Sequence, residues 1–190
     1  MSSVEKNNVS LRPALPFAIP TVLLLICLGT ALLVFPKGEL HLMLCQPHTA
    51  FLDTWMPRYS NLVDWLPYVF VVILLFYRAG WSVFLAGNLL LTTAIVQPIK
   101  HLFNAPRPLV WFGENMPDII LPLVEGVRMN HWHSFPSGHT ATFFTFFFTI
   151  SLLMMDTKIK AKGVYAFLCF ILAAIGAYTR IYLSQHFALD

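Results

Sequence analysis

The sequence predicts an all-α fold, a polytopic transmembrane helical bundle with five spanning helices and a helical segment lying in the membrane interface. Two observations predict it. Of 190 residues, 57% are hydrophobic and only 11% are charged, against about 45–50% and about 25% in soluble domains. The apolar residues are also gathered into long runs, several of which approach the roughly 20 residues that a spanning helix needs.

The first run, Leu15 to Phe35, is uncharged and full length. Pro16 and Pro20 lie near its start, where the missing N–H of proline costs least. The run is long enough to span and no small-residue cleavage site follows it, so it reads as a retained helix and not a signal peptide. Residues 40–60 interleave His41, Asp53, Trp55 and Arg58 with Leu, Met and Phe, a pattern suited to the interface. The second run, Trp65–Tyr77, is short. It must borrow Asn61–Asp64, or let Arg78 snorkel, in order to cross. Ala79–Ile99, Thr140–Met155 and Val164–Ile181 complete the five.

Within these runs Asn88 and Gln97 are polar at membrane depth and are expected to face the bundle. Phe143–Phe148 reads as lipid-facing and core packing. Cys27, Cys45 and Cys169 show neither disulfide nor zinc spacing and read as packing residues. The connection from Asn104 to Phe135 is too long for a turn and is expected to act as a lid or binding element. The whole chain, 1–190, is expected to form a single membrane-embedded domain.

The formal charge of +3 comes from dispersed cations, which argues against a nucleic-acid partner. If the five runs alternate across the membrane, Lys6, Arg12, Arg78, Lys158, Lys160 and Lys162 share one side. Lys37, Arg58, Lys100, Arg107, Arg128 and Arg180 share the other. Setting aside the three cations that belong to polar motifs, the positive-inside rule places the amino terminus in the cytoplasm.

Those motifs are KHLFNAPRP at 100–108, PSGH at 136–139 and RIYLSQHFALD at 180–190. All three fall on the outer side under this topology. Pro106 and Pro108 bracket Arg107 and stiffen its loop, as suits a bidentate phosphate clamp. In the second motif Ser137 is placed to cap the following helix, and Gly138 lets backbone approach an anion. A helix start offers free N–H groups and partial positive charge, and His139 sits in its first turn. In the third, His186 and Asp190 are four apart and share one face. A carboxylate on one imidazole nitrogen fixes the tautomer and leaves the other nitrogen as a nucleophile. Each motif alone also reads as membrane-edge anchoring, with snorkelling cations and interfacial histidines. All three in this order, on one expected face, argue for a single phosphate site.

The three-part pattern resembles the type 2 phosphatidic acid phosphatase superfamily, integral-membrane lipid phosphatases related to the vanadium haloperoxidases. The resemblance runs from about Leu15 to Asp190. Thr179 stands where the family often has Ser, which keeps the hydroxyl. The resemblance implies a metal-independent, cofactor-free displacement in two steps. His186 would attack phosphorus to give a phosphohistidine, Asp190 would orient it, and His139 would protonate the leaving oxygen. Lys100, Arg107, Ser137, Gly138 and Arg180 would hold the phosphoryl oxygens. The substrate would be a membrane lipid phosphate or pyrophosphate, with undecaprenyl pyrophosphate, lipid A phosphate, phosphatidylglycerophosphate and phosphatidate as candidates. The setting would be a bacterial inner membrane with the site on its periplasmic side. A lipid phosphotransferase using the same intermediate, or a headgroup-binding or transport protein, would use the same cations. In the family the last Asp opens a sixth spanning helix. The chain is therefore expected to be truncated, with Asp190 frayed and carrying an extra carboxylate.

Overall fold

Eight α-helices dominate the fold, and no strand occurs among the described residues. The computed structural model describes residues 14–46 and 48–190. Lys6 and Arg12, two of the cations used to orient the chain, lie outside them. The helices are α1 (Leu15–Val34), α2 (Lys37–Cys45), α3 (Ala50–Asn61), α4 (Leu66–Tyr77), α5 (Ala79–Phe103), α6 (Pro108–Asn115), α7 (Gly138–Met155) and α8 (Lys162–Tyr182).

The interfacial stretch is two helices, not one. α2 ends at Cys45, and Thr49 starts α3 by accepting the Leu52 N–H on its hydroxyl at 3.2 Å. Nor does the short second run cross by itself. A 3-10 turn, Leu62–Asp64, joins α3 to α4, and the two arms bend by 45° into one span-length unit. Four other helices are long and apolar enough to cross unaided, and the count reaches five if the bent pair is one span rather than a re-entrant loop. α4 falls short by itself, because its 12 residues cover only about 18 Å at 1.5 Å each.

α1 buries only Phe17 and exposes most of its leucines, with Leu33 90% exposed. Such a surface suits hydrocarbon, where apolar exposure costs little. The main apolar core joins Phe17, Leu74, Leu85, Leu89, Phe146, Ile150 and Phe170 from α1, α4, α5, α7 and α8. Arg78, between α4 and α5, pairs with Asp156 at 2.6 Å just past α7, which puts those two connections at one end of the bundle. α7 runs antiparallel to both α5 and α8, which brings Lys100, Gly138 and Arg180 together at the other end. Asn88 faces the bundle as expected, donating to the Thr149 hydroxyl at 3.3 Å.

α8 packs most extensively on α7, through small buried residues such as Ala166, Ala173 and Gly176. Close helix approach in membranes depends on such residues. A Cβ on Gly176 would lie 2.4 Å from the Phe143 ring. That ring is 2% exposed and stacks on Tyr59 at 5.6 Å, whose hydroxyl donates to the Leu172 carbonyl at 2.9 Å. Gly176→Ala is therefore expected to destabilise the bundle by about 1–3 kcal/mol, read as a lower midpoint in detergent thermal unfolding. Gly29→Ala, where nothing lies within 4 Å, should leave that midpoint in place.

Candidate active site

The end of α5, the start of α7 and the end of α8 converge on one cavity of about 290 Å³. Lys100, Arg107, Gly138, His139, Arg180 and His186 all line it, with Thr92, Thr93, Val96, Gln97, Asn130 and Thr142 completing the wall. Six of the eight residues singled out in the sequence thus share one surface. The other two, Ser137 and Asp190, lie behind it.

Lys100 occupies the last turn of α5, which closes at Asn104 in the left-handed region at φ 38°. Its carbonyl accepts from the Asn104 N–H at 3.0 Å and lies 3.1 Å from His133 Nδ1. Arg107 follows in extended geometry, at φ −78° and ψ 165°, as the flanking prolines require. It is 7% exposed. Its Nε donates to the Trp132 carbonyl at 2.9 Å, and Nη1 donates to both the carbonyl and the Oε1 of Gln185. Among the described residues Nη2 has no hydrogen-bond partner. The long connection contains α6, and its Trp132 carbonyl helps to hold the guanidinium in place.

At the start of α7 the Ser137 hydroxyl accepts from the Thr140 N–H at 3.3 Å and the Thr140 hydroxyl at 2.9 Å. Ser137 thus serves as the helix cap. Its 2% exposed side chain borders an apolar crevice between α1 and α7 rather than the cavity. The first helical N–H groups have no acceptor within the helix, and the cavity opens beside them. A Cβ on Gly138 would lie 3.9 Å from Lys100 Nζ, so the space a side chain would take belongs to the cavity.

α8 ends at Tyr182, and the chain turns sharply through Ser184 at φ 49°. The Arg180 carbonyl accepts from the N–H groups of both Gln185 and His186, at 2.9 and 3.0 Å. That turn fixes the imidazole beside the guanidinium. Arg180 Nη1 donates to Ser60 Oγ at 2.6 Å, while its buried Nε has no partner among the described residues.

His186 Nδ1 stands 3.3 Å from Asp190 Oδ2, with side chains 3% and 4% exposed. Asp190 is not frayed, contrary to expectation. Its Oδ2 also accepts from the Phe187 N–H at 2.9 Å and from the Ser134 hydroxyl, and its carbonyl accepts from the Ser137 N–H at 2.8 Å. Burial alone would raise this carboxyl, but hydrogen bonds from His186, Ser134 and Phe187 hold it below the usual carboxylate range. Burial pushes the His186 imidazole down to about 4. The Asp190 bond opposes that shift, and Arg107 and Arg180 reinforce it. Near neutral pH His186 is therefore uncharged, with Nδ1 engaged and Nε2 free.

Four further residues support the site and were not singled out in the sequence. Gln185, 2% exposed, locks Arg107 and donates to the Arg128 carbonyl at 3.0 Å. Ser134 holds Asp190, Ser60 holds Arg180, and Asp64 Oδ1 lies 3.3 Å from His139 Nε2. Gln185 was discoverable as a polar residue beside His186. The others lie on distant segments without local signal. Gln97 lines the cavity rather than pairing inside the bundle. Among the described residues no group of three His, Cys, Asp or Glu side chains is placed to hold a metal ion.

A helical bundle of membrane-crossing length, with a cavity lined by Lys100, Arg107 and Arg180 at one end, defines the molecule as a polytopic membrane protein with a cationic cavity. The family model described as the PAP2 superfamily matches residues 81–190, and the chain belongs to that superfamily. It is also similar to the crystal structure of Aquifex aeolicus LpxE, with 27% identity, TM-score 0.62, and coverage of 82% of this chain and 86% of that one. No curated protein sequence matches the chain.

Proposed function

We propose that the protein is a lipid phosphatase that hydrolyses a membrane lipid phosphate or pyrophosphate through a phosphohistidine on His186. One observation carries this reading: a buried, carboxylate-backed imidazole with Nε2 free borders the same cavity as Lys100, Arg107 and Arg180. Membership of the PAP2 superfamily and the likeness to LpxE support it.

The three cations and the α7 N–H groups bind the phosphoryl oxygens, where charge builds in the transition state. The Nε2 lone pair of His186 forms the P–N bond. The P–O bond breaks with its electron pair on the leaving oxygen, which takes a proton from His139. Water then attacks phosphorus and gives its proton to His139, and the P–N pair returns to His186. His139 ends protonated, ready for another turn. Positive charge comes entirely from side chains and backbone in this scheme, so turnover needs no metal. The site opens on the outer face of the plasma membrane, because the basic residues Arg78, Lys158, Lys160 and Lys162 lie at the opposite end.

A nucleophile with its proton affinity lowered is active above its folded-state value. Turnover is therefore expected to hold near neutral pH and to fall as pH drops through about 4, where His186 takes up a proton. A pH–rate profile checks this.

The deciding experiment is phosphate release from purified undecaprenyl pyrophosphate, lipid A phosphate, phosphatidylglycerophosphate and phosphatidate, with EDTA present. Release that is abolished in folded His139→Ala protein supports the reading. Labelled phosphate appearing on an acceptor lipid instead of in solution identifies a transferase. Headgroup binding without turnover identifies a binding protein.

A further inference from the structure

We propose that Asp64 is a positioning residue for His139, the counter-charge that keeps the leaving-group acid protonated within a ring of cations. This rests on the phosphatase reading above. The carboxylate reaches the site through the bend between α3 and α4. In that bend Val63 is 5% exposed and packs with Tyr59 against Phe143. Phe143 stands four residues beyond His139, on the same helix face. The packing that anchors the bend therefore also lays Asp64 over the first turn of α7, with Oδ1 3.3 Å from His139 Nε2.

No structural task accounts for this carboxylate. α4 begins with no side-chain cap bond, and among the described residues the Asp64 side chain makes no hydrogen bond and has no other ion-pair partner within 4 Å, although its charge also reaches Arg180. His139 shares one cavity wall with Arg180, His186, Lys100 and Arg107. A general acid must carry its proton there before substrate arrives. Opposite charge at this distance favours the charged form of a partner. The two imidazoles of the site are then each backed by a carboxylate: neutral His186 by buried Asp190, and acidic His139 by Asp64, whose side chain is 59% exposed. Partial exposure keeps the effect modest.

The role predicts a dependence on the leaving group. An alkyl alkoxide needs a proton as its P–O bond breaks, whereas p-nitrophenolate does not. In the full chain, Asp64→Asn should slow hydrolysis of the lipid phosphate about tenfold more than that of p-nitrophenyl phosphate, less than the about 10²–10⁴-fold a general acid supplies in total. His139→Ala should show the same split, enlarged, and Asp64→Glu should restore most of the lipid phosphatase rate. Equal loss on both substrates, no loss on either, or failure of Asp64→Glu to recover the rate overturns the inference while leaving the phosphatase reading intact. A parent protein that frees phosphate from neither substrate overturns both.

Discussion

Replacing His186 by alanine is expected to lower phosphate release by about 10⁴-fold or more, the scale on which loss of a buried nucleophile is felt. The imidazole is 2% exposed and its Nδ1 is committed to Asp190, so alanine removes both the attacking nitrogen and the group that the carboxylate orients. The second readout is covalent. Quenching the parent protein with labelled substrate should trap an acid-labile phosphohistidine that the variant lacks. Folding is monitored independently by helical circular dichroism and detergent thermal unfolding. His186→Ala protein that is folded and turns over at the parent rate, or label that persists in it, would remove the phosphohistidine from the mechanism.

The next largest effect is expected at Arg107. Its guanidinium reaches three acceptors on Trp132 and Gln185, and among the described residues Nη2 has no partner. Lysine keeps the charge but not the planar fork that makes those bonds together. Arg107→Lys should therefore lower kcat/KM by about 10²–10³-fold, comparable with the loss of one preorganised donor to a transition-state oxyanion. Stability should also suffer, because two of the three acceptors belong to Gln185, which is 2% exposed, and a buried acceptor left without its donor is costly. Steady-state kinetics on one lipid phosphate decide it. Loss confined to KM would mean that Arg107 binds the ground state and transition state equally.

Much of the site was legible because each motif is local. Arg107 between two prolines, Ser137 and Gly138 ahead of an apolar run, and His186 four residues before Asp190 each show their geometry within one or two turns of chain. The five crossings were legible for a similar reason, since bilayer thickness imposes a length that composition reveals. Less was visible where a short element depends on its neighbour. α4 is too short alone, and only the structure shows that it joins α3 through a 45° bend into a unit of spanning length. Ser137 was legible as a helix cap, but its burial against α1 depends on how α1 and α7 pack. Asp190 was expected to fray, yet contacts from Ser134 and Ser137 hold it.

By itself the sequence determined the helical membrane class, the cations and histidines of the site, and the end of the bundle that carries them. These follow from hydrophobic run length and from short-range backbone chemistry. Only the tertiary structure decided which remote side chains hydrogen-bond each functional group: Gln185 for Arg107, Ser60 for Arg180 and Ser134 for Asp190. Such pairings arise from the packing of α3, α7 and α8 against one another. A hydrogen bond between distant segments leaves no periodicity in the chain that forms it.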